Sequence, residues 1–316
     1  MQKFVNLHAD IVPPPPSFFK GVGMSIFTFH SPIEKLQAVC DSWLNEATGG
    51  ALYFEPLFPY ANVIFADYAG VTATTAPYSG YGYVPYKEVV ISFYVGRYDL
   101  SGGGKKLLQV YNLVDYAWVD ENFTLLGGQL TYGMKKNLGV ISFSSVPVTG
   151  YALSSLSFKT YDKSAAPALN EILAVTAGPP AQVIRESSGV LEAAEMLLEV
   201  LKDLLHPVSF SLLEEFFNLF VHREIPFVSL RQLRSIQTSE NAVYQEIITF
   251  TCKLDHLYSF KLPGKDFTLV LNQVDTFPVA DDYGWSAQNQ PSLVIQAEMD
   301  FTFETGSILW QSTPIT

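Results

Sequence analysis

Positive charge is scarce in this chain. It has 19 lysines and arginines against 31 aspartates and glutamates in 316 residues, a formal charge of −12. That balance argues against a nucleic-acid partner, because phosphate backbones need basic patches. Cysteine is almost absent. The only two, Cys40 and Cys252, are far apart in sequence and have no metal-like spacing, which suits a reducing compartment and predicts a cytoplasmic protein. None of the 5 histidines pairs with a cysteine or another histidine at ligand spacing, so neither a metal nor a cofactor is expected. No apolar run reaches the ~18 residues of a membrane-spanning helix, so no membrane association is expected. The start, Met1 to His8, lacks the apolar core and small-residue cleavage site of a secretory signal.

The chain is rich in material for a core. At 48% hydrophobic, 14% aromatic and 16% charged, it reads as folded rather than disordered. Its length allows one large or two modest domains, and no internal repeat is visible.

Against this sparse positive charge, the adjacent Lys135 and Lys136 stand out. They lie in Thr131-Tyr-Gly-Met-Lys-Lys-Asn-Leu-Gly139, between an apolar, glycine-punctuated run and the strand-like Val140-Ile-Ser-Phe143. Amine nucleophilic catalysis favours such a pair. A lysine attacks a carbonyl only as the free amine, a minor species at neutral pH given a reference pKa of about 10.4. Desolvation and a neighbouring cation both favour the neutral form. The same spacing also fits a solvated turn between two strands. The pair Lys105-Lys106, after Ser101-Gly-Gly-Gly104, lacks phosphate-loop spacing and reads as a hairpin tip. Glu88 stands where a Tyr/Gly loop, residues 77–88, enters the apolar strand Val89–Val95; a solvated carboxylate and a site residue are both open there.

Most of the remaining pattern is β. Residues 1–24, with Pro13 to Pro16, read as a surface-hugging extended arm, and Ser25–Phe29 as a short strand. Ser31-Pro32 opens a helix to about Asn45, with Ser31 as its cap. Strands are expected over 51–54, 61–68, 89–95, 107–119, 123–130, 140–145, 151–161, 227–230, 244–254, 257–262, 267–274 and 292–303. Residues 179–225 break the pattern. Val190, Leu191, Ala194, Leu197, Leu198, Leu201, Leu204 and Leu205 form a helical stripe, which His206-Pro207 ends. Leu212, Leu213, Phe216, Phe217, Phe220 and Val221 form a second stripe. The two predict a helical hairpin packed on the sheet. The two stripes are more apolar than a single sheet covers, which predicts a homo-oligomer. The expected class is α+β, predominantly antiparallel β, as a closed or strongly curved sheet.

Four segments in this order resemble the acetoacetate decarboxylase superfamily: Pro85-Tyr-Lys-Glu88, the glycine-rich run into Lys135-Lys136-Asn-Leu-Gly139, Ser229-Leu-Arg-Gln-Leu-Arg234, and Ala242-Val-Tyr-Gln-Glu246. Leu44–Gly70 and Asp275–Val279 extend the likeness over about residues 25–303. It implies one domain, 1–316, with a cone-like closed antiparallel sheet around an interior site and 179–225 as an inserted helical hairpin. It also implies a Schiff-base lysine, the first of the pair, Lys135, assisted by Lys136, with Glu88 as the site carboxylate. That family is itself the standard example of such a lysine. The implied activity is iminium chemistry on a keto acid or related carbonyl compound, foremost decarboxylation of a β-keto acid. Aldolase, dehydratase or hydratase chemistry, and non-catalytic binding of a small molecule, are the alternatives. The chain departs from the family at Gln129, where a glutamate is usual, and at Met134, in place of proline. It also has no arginine before Arg97 to hold a substrate carboxylate, leaving Lys20 as a point-charge stand-in.

Overall fold

The structure is a computed structural model that describes residues 12–144, 150–178, 183–204, 217–238, 240–264 and 266–312. The chain opens with β1 (Ser17–His30), then α1 (Ile33–Cys40), which runs on into a π-helical turn, Asp41–Asn45. Next come β2 (Phe54–Pro56), β3 (Tyr60–Ala73), β4 (Val84–Asp99) and β5 (Lys106–Val119). After them follow α2 (Asn122–Leu130), β6 (Lys136–Leu138), β7 (Val140–Ser144), β8 (Gly150–Ser157) and β9 (Ala168–Ala177). The helical segment holds β10 (Val183–Ser187), α3 (Val190–Leu204) and the helical residues 217–221, here α4. The last part comprises β11 (Glu224–Arg234), β12 (Ala242–Pro263), β13 (Phe267–Leu271), α5 (Val279–Tyr283), β14 (Gln288–Asn289), β15 (Leu293–Phe303) and β16 (Ser307–Gln311).

The larger sheet closes on itself. Its strands follow the order β4–β3–β1–β15–β12–β11–β5, and β5 pairs back onto β4. Neighbours in the ring are antiparallel except β5 and β11, which run parallel over a short stretch. Closure protects the strand edges that an open sheet would expose. Alternation sets the two faces. On β1, β3 and β4, the residues Phe27, Val63, Phe65, Ile91 and Phe93 point outward and are almost fully buried. They pack under the second sheet, β14–β13–β9–β8–β7. Phe27 meets Tyr151 and Phe267 there at ring separations of 5.4 and 5.1 Å. The inward residues line a cavity of about 270 Å³.

Helix α3 covers that cavity. Its stripe packs Ala193, Met196 and Leu197 onto Leu257, Phe260, Leu293 and Ile295 of the ring. Leu201 and Leu204 meet Phe58 and, from α4, Phe220. Of the α3 residues proposed for self-association, Leu197 is buried within the chain, and Leu201 and Leu204 are half-buried. The turn of the expected hairpin and the start of its second helix, residues 205–216, lie outside the described residues.

Several local expectations are corrected. Residues 123–130 are helix α2, not strand: the Glu121 carboxylate accepts from the backbone N–H groups of Phe123 and Thr124 and caps the helix. Ser31 does not cap α1; its hydroxyl donates to the Tyr283 carbonyl at 2.6 Å, tying β1 to α5. The strands expected at 244–254 and 257–262 are one long strand, β12, bent by irregularities around His256.

Candidate active site

Strand β6 begins at Lys136, with Lys135 just before it. It pairs parallel with β5, Ala117 opposite Lys136 and Val119 opposite Leu138. Successive side chains near a strand point to opposite faces, so adjacent lysines cannot both enter the cavity wall. The side chain that turns inward is Lys136. It is buried, and its Nζ lies 2.6 Å from Glu88 Oε1. Lys135 is exposed on the other side, with its Nζ 5.4 Å from the Trp43 ring centroid. The expectation that Lys135 is desolvated in one cavity with Glu88 therefore fails, and the register of β6 is the reason. Lys136 is the only buried lysine or arginine among the described residues.

The turn before β6 is held from several sides. Gly133 has a left-handed backbone, φ +65°, and a Cβ there would meet the Arg231 backbone at 3.0 Å. Met134 donates its N–H to the Gly128 carbonyl at 2.9 Å, a bond that a proline could not make. Gln129 donates from Nε2 to the Lys136 carbonyl at 2.7 Å. Met134 and Gln129 therefore both fix the backbone of the lysine turn. Ser229 donates to the Tyr132 carbonyl at 2.5 Å. Arg231, ion-paired with the buried Glu246, also reaches the Leu130 and Thr131 carbonyls.

Glu88 is the hub. It lies in β4 opposite Ala66 and faces inward. Its second oxygen accepts from Tyr68 Oη at 3.0 Å and Tyr86 Oη at 3.3 Å. The two phenol rings stack at 4.1 Å with planes 6° apart. Burial first, then surrounding negative charge including Glu88, pushes both phenols well above their ordinary range, so they are neutral donors. A buried charge needs this degree of pairing to be tolerated. Neither tyrosine was singled out by sequence reasoning. The visible signal was Tyr86 two residues before Glu88, on the same strand face.

Around this cluster the wall is apolar: Met134, Phe227 and Phe303 on one side, Met24, Val119 and Phe301 on the other. Lys20 does not reach it. It is exposed, with its ammonium 5.6 Å from the Tyr83 ring centroid. Lys105 is likewise outside, paired with Glu55 at the surface. Burial pushes both cysteine thiols up, away from the thiolate a nucleophile needs. Among the described residues, no group of three or more His, Cys, Asp or Glu converges as a metal site.

No family model and no curated protein sequence matches the chain. Solved structures do. The chain is similar to acetoacetate decarboxylase from Legionella pneumophila at 13% identity and a TM-score of 0.60, over 98% of this chain and 92% of that one. It is similar to an acetoacetate decarboxylase-like enzyme from Sphingomonas wittichii RW1 at 12% identity and a TM-score of 0.58, over 96% of each chain. The enduracididine biosynthesis enzyme MppR, solved in complex with pyruvate, aligns at 15% identity and a TM-score of 0.56, over 96% of this chain and 93% of that one. At these identities the likeness establishes the fold: an acetoacetate decarboxylase-like closed, curved sheet of the α+β class.

Proposed function

We propose that this chain is a Schiff-base enzyme in which Lys136, not Lys135, attacks the carbonyl of an apolar keto acid, with Glu88 as the proton-transfer group. The observation that carries this reading is the buried Lys136–Glu88 pair, 2.6 Å apart beside a cavity with an apolar wall. The ammonium hands a proton to the Glu88 carboxylate, and the freed amine adds to the substrate carbonyl. Glu88 returns the proton to the departing hydroxyl, so water leaves, an iminium remains on Lys136 and the carboxylate is regenerated. Tyr68 and Tyr86 hold Glu88 throughout. With a β-carboxylate on the substrate, the C–C bond to that carboxyl breaks, CO2 departs and the electron pair moves into the iminium to give an enamine. Protonation at carbon and hydrolysis then release the ketone. The iminium supplies the counter-charge for the carboxylate, and the apolar wall favours a transition state in which that charge is dispersed.

A second reading uses the same enamine as a carbon nucleophile toward an aldehyde or ketone. It is favoured by the apolar cavity lining, in which the exposed Arg223 is the one lysine or arginine among the described residues.

Borohydride trapping with a medium-chain methyl ketone, mapped by peptide mass, tests the nucleophile. The adduct is expected on Lys136, abolished by Lys136→Arg and retained in Lys135→Arg. An adduct on Lys135, or trapping that survives Lys136→Arg, would sink the assignment. CO2 release from β-keto acids of stepped chain length, against condensation product from ketone and aldehyde, separates the two reactions.

A further inference from the structure

The inner wall carries polar groups that the proposed chemistry does not use. Thr28, Asn62 and Ser92 lie side by side on β1, β3 and β4, at registers Thr28 opposite Asn62 and Asn62 opposite Ser92. Asn112 on β5 sits one step away, opposite Tyr94. All four line the cavity. Thr28 donates to Asn62 Oδ1 at 2.7 Å. Ser92 Oγ and Asn112 Oδ1, on side chains more than nine-tenths buried, have no hydrogen-bond partner among the described residues. Buried polar atoms are nearly always paired, and leaving one unpaired is costly. In a core meant only to pack, an alanine or valine would serve better at both positions.

The order along each strand is informative. Moving two residues from this belt toward the Lys136–Glu88 pair, the inward positions are Ile26, Ile64, Val90 and Val114. Two residues further on β4 comes Glu88. The wall thus runs from a charged pair through an apolar band to a neutral polar belt. Ser92 lies four residues from Glu88 along β4, roughly 13 Å at strand rise.

We infer that the belt is a second recognition point, at which Ser92 and Asn112 bind a neutral hydrogen-bonding group on the far end of the substrate. A hydroxyl fits best: it can donate to the amide oxygen of Asn112 and accept from the hydroxyl of Ser92. No charged residue belongs to the belt, so a distal carboxylate or phosphate is disfavoured. This inference rests on the proposed chemistry for which end of the ligand meets Lys136, and it identifies the substrate as an elongated carbonyl compound with an apolar middle and a distal hydroxyl.

The test compares binding of methyl ketones of stepped chain length, each with and without a terminal hydroxyl, by calorimetry. The wild-type protein is expected to prefer the hydroxylated ketone by roughly tenfold or more at one chain length, since a site built to hydrogen-bond rejects the analogue lacking the group. Ser92→Ala is expected to reduce that preference several-fold without weakening the plain ketone, and Ser92→Ala with Asn112→Leu to abolish it. The same comparison in Lys136→Met/Glu88→Gln keeps the two proposals apart: the preference should persist there even if no lysine forms an iminium. Equal binding of the two ketone series at every length, or a preference unchanged by Ser92→Ala, would overturn the inference. The second result would mean that these atoms are satisfied by solvent alone.

Discussion

A methyl group on residue 128 would sit 2.5 Å from both Cδ and Cε of Lys136. Gly128 therefore leaves the channel through which the lysine stem reaches Glu88. Gly127, its neighbour on the same helix, has nothing within 4 Å of the corresponding position. The two glycines look alike in sequence, yet their substitutions should differ. Gly128→Ala must push a flexible stem aside rather than break the fold, so the damage falls on the site. Misplacement of a reacting group by about 1 Å costs up to ~100-fold, and the rate of borohydride trapping should fall toward that extent with little change in Tm. Gly127→Ala should trap normally and gain about 0.5–1 kcal/mol from better helix propensity. Equal trapping rates in the two variants would show that the Lys136 stem does not need the space. The choice between Lys135 and Lys136 was likewise out of reach of the sequence. Both fit the motif. Alternation shows only that one of two adjacent residues faces in, and the turn at Gly133 and Met134 decides which.

Strand and helix assignments were most legible where one period dominated. The stripe of α3 was readable because it has one buried face, and β4 because its apolar run Val89–Val95 is packed on both faces. The segment 123–130 was not, because its short apolar run suits either state and a glutamate cap at Glu121 decided it. Nor was α5, a single turn at Val279–Tyr283 whose role depends on distant partners. One of these is Asp115 of β5, whose Oδ2 accepts from Tyr283 Oη at 3.2 Å. Burial pushes the Asp115 carboxyl up to about 7, with Asp282 adding to the shift and the Tyr283 bond and Lys135 opposing it. Between about pH 4 and pH 7 the unfolded chain has this group ionised while the folded chain keeps it protonated. The folded state then binds more protons, so this group makes stability fall as pH rises through that window and level off above it. The full effect is about 4 kcal/mol. In urea unfolding, Asp115→Asn should be markedly less sensitive to pH across that window than the wild type. Parallel pH profiles for the two proteins would contradict a buried, protonated Asp115.

At the scale of the whole molecule, the resemblance gave a closed sheet, but the ring order could not be read from any segment. It depends on β15 filling the gap between β1 and β12 and on β11 meeting β5 in parallel, contacts between residues far apart in the chain. Net charge, by contrast, is read directly from the sequence and acts on function through the field outside the fold. A chain at −12 repels an anionic keto acid before it reaches the cavity. Helix α3, beside the cavity, brings Glu192, Glu195 and Glu199 with it. Among the described residues, the exposed Arg223 is the one lysine or arginine lining the cavity. Long-range repulsion is screened as the Debye length falls from ~10 Å at 0.1 M salt to ~3 Å at 1 M, whereas a buried ion pair such as Lys136–Glu88 is screened far less. At subsaturating concentrations, kcat/KM for a β-keto acid should therefore rise several-fold with added sodium chloride. The rate of borohydride trapping with the neutral methyl ketone of equal length should stay nearly constant over the same range. A fall in the keto-acid rate with salt would mean that Arg223 attracts the anion more strongly than the acidic surface repels it. If the keto-acid and ketone rates moved together, salt would be acting on the protein's conformation and not on the approach of charge.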